Sequence, residues 1–253
     1  MRINSLIAAL VLSTVSLVGC ATSDTDDTSD ADSNSTAAGK FDLWQSNDGW
    51  HFHLTAGNGA TLLTSEAYTS RTGAINGILS VENNGVDNAQ YQVVQAKNGY
   101  LLHLVAGNNE IISFSQVYSS KSNATRAVTS CVKAVTTYLD KAETNTTGAR
   151  AAVEAGATNQ FRFNIFASNG QVVLSSESYT TEAAAWNGAF AVQDAAVTAA
   201  NFKVLTAADG RFYFTLTAEN GQVVGISQMY TTQASAQAGI KSATSTLAKL
   251  DIL

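Results

Sequence analysis

Proline is absent from all 253 residues, only two cysteines and three histidines occur, and charged side chains make up 13% of the chain. Each scarcity removes a class of protein. Two cysteines, Cys20 and Cys131, cannot build the disulfide framework of a small secreted scaffold. No Cys/His zinc pattern, nucleophile elbow, Gly-rich phosphate loop or pair of catalytic carboxylates can be picked out, so no cofactor is implied. The 14 Lys and Arg are outnumbered by 20 Asp and Glu and form no basic patch, which argues against a nucleic-acid partner. Without proline, strands and helices can run uninterrupted. These absences favour a non-catalytic protein that binds or assembles over an enzyme.

What is present is distributed unevenly. Residues 22–39, TSDTDDTSDADSNSTAAG, hold five aspartates, no basic residue and no large apolar side chain. Nothing there offsets the entropy of ordering, so the stretch reads as a disordered acidic tether. Ahead of it stand a basic Arg2, an apolar run from Leu6 to Leu17 too short for a full transmembrane helix, and small Gly19 before Cys20. Leu17-Val18-Gly19-Cys20 resembles the lipobox of bacterial lipoprotein signal peptides. The resemblance implies a signal peptide over residues 1–19 and a mature chain beginning at a lipidated Cys20. Acyl chains such as palmitate would then hold it to the membrane, since more than one chain is needed for stable anchoring. Ala21 rather than Asp after the cysteine implies the outer membrane of the cell envelope in a two-membrane host.

Beyond the tether the chain repeats itself. Ser65-Glu66-Ala67-Tyr68, Ser115-Gln116-Val117-Tyr118, Ser176-Glu177-Ser178-Tyr179 and Ser227-Gln228-Met229-Tyr230 are four copies of one motif. Seven residues before each serine stands an asparagine (Asn58, Asn108, Asn169, Asn220), followed by glycine in all copies but the second, which has Asn109. Asn-Gly supplies the positive φ of a tight turn, and the residues ahead of it alternate strictly, as in Trp50, Phe52, Leu54, Ala56. Asn47-Asp48-Gly49, Lys97-Asn98-Gly99 and Ala208-Asp209-Gly210 mark an earlier turn, reached from short strands around Phe41, Tyr91 and Phe202. The third copy lacks this marker and has only a weak strand near Val153. After each tyrosine, hydroxyl residues such as Thr69-Ser70 suit the N-cap of a helix. Its inward stripe is Ala74, Ile78, Val81 in copy one and Ala124, Val128, Cys131 in copy two, which makes Cys131 a small core residue. The ninth residue after each tyrosine is small (Gly77, Ala127, Gly188, Gly239), and glycine inside a helix costs ~1 kcal/mol, so a close approach of helix to sheet is implied.

Each unit thus reads as three antiparallel strands and a helix. With these motifs, residues 40–253 resemble the YegP-like repeat, a domain of unknown function. The resemblance implies an α+β fold of tandem β3-α(-β) repeats, paired into two domains, each an antiparallel sheet with helices on one face. It further implies exchanged closing strands, at Thr136–Asp140 and Leu247–Leu253. Glu follows the serine in copies one and three and Gln in copies two and four, and the only oversize gap is at 141–148, which indicates a duplicated two-repeat module. The expected domains are 40–142 (repeats 40–85 and 86–142) and 146–253 (repeats 146–196 and 197–253).

Candidate site residues are few. In the recurring motif Glu66, Tyr68, Glu177 and Tyr179 could bind a ligand, but Glu66 as the strand neighbour of Ser65 points to the opposite face, and Gln in the other copies cannot act as a base. An enzyme using these motifs is the alternative reading. His51 and His53 share one strand face, and His103 repeats the position of His53, so a metal-binding protein is a further alternative. Leu101, Val105, Phe166 and Tyr213 interleave with His51, His53, Arg162 and Thr217 on faces opposite the helices, a mixed surface suited to the other domain, another chain or a ligand such as an envelope protein, peptide or glycan.

Overall fold

The computed structural model describes residues 37–253 apart from 146, 157, 251 and 253. The expected signal peptide, Cys20 and all but the end of the expected tether lie outside the described residues.

Each repeat is a three-strand meander followed by a helix. Repeat one supplies β1 (Lys40–Ser46), β2 (Gly49–Thr55), β3 (Thr61–Ser65) and α1 (Arg71–Asn84); repeat two supplies β4 (Tyr91–Ala96), β5 (Gly99–Val105), β6 (Ile111–Phe114) and α2 (Lys121–Thr144). In the second half come β7 (Arg150–Ala155), β8 (Phe161–Phe166), β9 (Val172–Ser175) and α3 (Glu182–Ala196), then β10 (Phe202–Thr206), β11 (Phe212–Thr217), β12 (Val223–Ile226) and α4 (Gln233–Leu247). The strands join into two six-stranded antiparallel sheets, ordered β1-β2-β3-β6-β5-β4 and β10-β11-β12-β9-β8-β7. The fold is therefore α+β, with two domains of paired repeats.

Turn chemistry sets these strands in place. Asn58, Asn108, Asn169 and Asn220 each accept, through Oδ1, a bond from the N–H two residues on, at 3.0 to 3.1 Å. The next residue then takes a positive φ, 85° at Gly59 and 66° at Asn109, where asparagine does the work of glycine. In the third copy the residue after Asn169 is Gly170 at φ 78°, and Asn159 at φ 52° stands in for glycine at the earlier turn, between β8 and the weakly marked first strand, which forms as β7. Beyond each turn the register slips by one residue, as between Leu54 and Thr55. This bulge turns both Leu62 and Leu63 inward, and they are buried to 2% and 0% exposure.

One face of each sheet packs on helices. Phe52, Leu54, Leu102 and Leu104 meet Ala74, Ile78, Val81, Ala124 and Cys131 in the first core; Phe163, Ile165, Phe214 and Leu216 meet Ala189, Val192 and Ala243 in the second. Burial pushes the Cys131 thiol up to about 12, so it stays protonated and acts as a small apolar residue. Each helix begins at the second hydroxyl of its pair: Ser70, Ser120, Thr181 and Thr232 accept from the N–H three residues on.

The third strands of two repeats meet at each sheet centre in a near two-fold arrangement, with Thr64 opposite Phe114 and Ser65 opposite Ser113. The symmetry is broken in the core. Leu63 lies diagonally across this seam from buried Ser113, and a Cβ on Gly225 would come within 3.2 Å of Leu174 Cδ2. Large pairs with small in both domains.

The closing strands do not form. Thr136–Asp140 belong to α2, because Cys131, Val135 and Tyr138 keep a helical period on the core side. In the second domain α4 ends at Leu247, and Leu250 and Ile252 fill the core from outside any strand; Asp251 and Leu253 lie outside the described residues.

Candidate functional site

The recurring serine is spent on architecture. Ser65 Oγ accepts from the Phe52 N–H at 2.9 Å and donates to the Glu66 carbonyl at 2.8 Å. Ser115, Ser176 and Ser227 make the same two bonds, to Leu102 and Gln116, Phe163 and Glu177, and Phe214 and Gln228. Each hydroxyl supplies a rung where the third strand bends, so a buried N–H is not left orphaned. Two residues past Glu66, Tyr68 resumes pairing and exchanges both backbone bonds with Trp50 at 2.8 Å. Glu66 and Glu177 are exposed.

Tyr68 and Tyr179 are packing groups. Their rings stack on Phe52 and Phe163 at 6.1 Å, and Tyr230 stacks on Phe214 at 6.2 Å. The small residue in the helix faces this stack. A Cβ on Gly77 would fall 2.3 Å from the Tyr68 hydroxyl and 2.7 Å from Phe52; on Gly239 the figures are 2.2 and 3.0 Å against Tyr230 and Phe214. Repeat two differs at both ends together: Leu102 replaces the phenylalanine and Ala127 the glycine. A slimmer strand residue leaves room for the methyl.

The histidines lie on the open face of the first sheet, opposite the helices. The register lines up Asp42, His53, Thr64, Phe114, His103 and Gln92 as one row across six strands. Two strands separate His53 from His103, roughly 14 Å at ordinary strand spacing, so they share no ligand. Among the described residues no three His, Cys, Asp or Glu groups are placed to hold a metal ion. Burial lowers the pKa of both His53 and His103, outweighing Asp42 and Glu66 respectively, so both are neutral near pH 7.

What the face does gather is an aromatic platform at its β1 edge. Trp44 stacks on His51 at 5.4 Å and lies 4.2 Å from the His53 ring. Asp48 bonds His51 Nε2 at 3.0 Å and accepts from Ser46, and these two bonds hold its carboxyl near 2. The carboxylate stands between serine and imidazole, so His51 cannot take the Ser46 proton and no catalytic triad exists there. Trp44 was missed among the candidate residues, although strand parity with Asp42 places it on this face. The matching face of the second sheet carries Lys203, Thr215, Ile226, Ser175 and Asn164 in its central row, and Arg150 caps Phe166 at 4.0 Å.

The halves meet through α1 and α3. Arg71 donates to Asn187 at 2.8 Å and Asp194 at 2.9 Å, and its guanidinium lies between Trp50 and Phe190. Towards the other end of α1, Glu82 faces Glu182, the first residue of α3, so the helices run antiparallel. Burial and then the Glu182 carboxylate push Glu82 up to about 7. No local signal marks these residues, because the partners lie 116 and 123 positions from Arg71.

Comparison with known proteins agrees with the repeat count. Residues 45–92, 96–138, 157–202 and 207–251 each match the family model described as Domain of unknown function (DUF1508). The chain belongs to this family. UPF0339 protein PA0329 of Pseudomonas aeruginosa is 45% identical over 83 residues, 33% of this chain and 76% of that protein. UPF0339 protein YegP of Escherichia coli strain K12 is 43% identical over 84 residues, 33% of this chain and 76% of its own length. A solution NMR structure of yegP from E. coli, titled a protein of unknown function, is 34% identical and covers 42% of this chain and 91% of that one, at a TM-score of 0.40. The chain thus carries four DUF1508 repeats where these relatives match over about a third of its length.

Proposed function

We propose that this chain is a lipoprotein of the cell envelope, anchored in the outer membrane through Cys20, whose folded part is a non-catalytic binding or assembly module. The reading is carried by one observation. All four motif serine hydroxyls are committed to two backbone bonds each, while the aromatic and imidazole groups on the open face of the first sheet are free of that task. Trp44, His51, His53 and Asp42 offer a flat apolar ring edged by hydrogen-bonding groups, a surface for an envelope peptide or glycan.

Mass spectrometry of the membrane fraction tests the anchor: acyl chains are expected on Cys20, and Cys20→Ser should leave the chain unprocessed or soluble. Titration of the purified chain with envelope glycans and peptides, followed by tryptophan fluorescence, tests the face. Trp44→Ala should abolish the response. An activity that disappears in Glu66→Gln with Glu177→Gln, the fold intact, would overturn the non-catalytic reading.

A further inference from the structure

Four strands lie at sheet edges: β1, β4, β7 and β10. Exposed edges invite pairing with another chain, and charged residues normally discourage it. β1 carries Lys40 and Asp42, β7 carries Arg150 and Glu154, and β10 carries Lys203. β4 reads Tyr-Gln-Val-Val-Gln-Ala and has no charge, no glycine and no register slip against β5.

The free groups on this edge can be named. Tyr100 and Leu102 of β5 bond towards β6, through the Tyr118 carbonyl and Ser115 Oγ, so the β5 residues that bond β4 are Gly99, Leu101 and His103. Their partners are Ala96, Val94 and Gln92. Val93 and Gln95 therefore point their N–H and C=O away from the sheet, whereas the outward N–H of Tyr91 is consumed by the Asn88 carbonyl. We propose that the β4 edge pairs antiparallel with β4 of a second copy of this chain, joining two first-domain sheets into one of twelve strands.

The register follows from those free groups. Val93 placed opposite Gln95 of the second copy, and Gln95 opposite its Val93, uses all four donors and acceptors per rung pair and puts a two-fold axis at Val94. Such a contact is self-complementary and closes at two chains. It sets Val94 against its own mate at a non-hydrogen-bonded position, a β-branched pair on the open face. β4 itself brings no charged side chain to the seam, and the helices of both copies stay on one side.

The test uses the full chain in detergent, with light scattering for mass and mild oxidation for cross-linking. Non-hydrogen-bonded antiparallel pairs have Cα atoms about 4.5 Å apart, within disulfide reach. Val94→Cys should give a disulfide-linked pair, while Val93→Cys, diagonal to its mate in this register, should not. Gln95→Pro removes only an outward N–H and should return the mass to one chain with the melting temperature kept; Gln95→Lys should weaken the pair if the proline variant fails to fold. The proposal is overturned by a one-chain mass for the unaltered protein, by equal cross-linking at both positions, or by a two-chain mass that survives Gln95→Pro and Gln95→Lys. A parallel Cys20→Ser chain separates this result from lipidation, because the edge is far along the sequence from the anchor and pairs without it.

Discussion

The two domains share a frame and differ in what they show to solvent. Their motif serines, hairpin asparagines and helix caps make the same bonds at nearly the same distances. Their open faces have little in common: Trp44, His51, His53 and His103 on the first are met on the second by Asn164, Thr215, Lys203 and an Arg150–Phe166 contact. Positions that repeat answer to the fold, and positions that diverge are those to which the proposed binding role belongs. A change at a repeated position should therefore act on stability in both domains, and a change on an open face on one interaction only.

The sharpest way to break the comparison is at the helix–sheet junction of the even repeats. Gly239→Ala forces a methyl into the Tyr230–Phe214 stack and should cost about 1–3 kcal/mol in chemical denaturation. Adding Phe214→Leu converts repeat four to the pattern of repeat two, Leu102 with Ala127, and should recover part of the loss. A double-mutant cycle that comes out additive would refute this coupling.

Next in size is the bend serine. Ser227→Ala leaves the Phe214 N–H buried without its acceptor and should cost about 1–3 kcal/mol, as should Ser65→Ala in the first domain. Unequal losses in denaturation of the two variants would show that the frames are less alike than their bonds.

The junction between the domains gives a smaller, pH-dependent effect. Glu82 stands at about 7 in the folded chain against an ordinary 4.5, so between those values the folded state binds more protons than the unfolded state. Stability from this group is present at low pH and is lost as pH rises to 7. Thermal melts should fall across that window, and Glu82→Gln should flatten the profile. Glu66→Gln and Glu177→Gln, exposed and matched by Gln116 and Gln228, should stay within about 0.5 kcal/mol in the same assay.

Much of this was legible in the chain. Period-two runs around Phe52 and Leu102, Asn-Gly turns and hydroxyl caps are local signals, and they locate strands, hairpins and helices. The closing strands were implied by the resemblance alone; at Thr136–Asp140 the spacing from Cys131 is helical, and packing followed the spacing. Spacing and type implied the close approach at Gly77 but not the ring that causes it. The Trp44 platform needs strand pairing, and Arg71 with Asp194 needs two domains to dock, so neither is visible in any window of sequence. The three histidines suggested convergence only because sequence reading cannot count the strands between them.

The large-small seam at the centre of each sheet also bears on synthesis. Leu63 with Ser113 and Leu174 with Gly225 forbid a repeat from pairing with its own kind, one with three or two with four. They do not forbid one with four, or three with two. Order of emergence resolves that ambiguity, since a ribosome adding about 5–20 residues per second exposes repeat two well before repeat four exists. Refolding from denaturant offers no such schedule, and all four repeats compete at once. The same chain should therefore reach its native pairing more cleanly during translation than after dilution from urea, with wrongly paired, aggregation-prone species confined to the test tube.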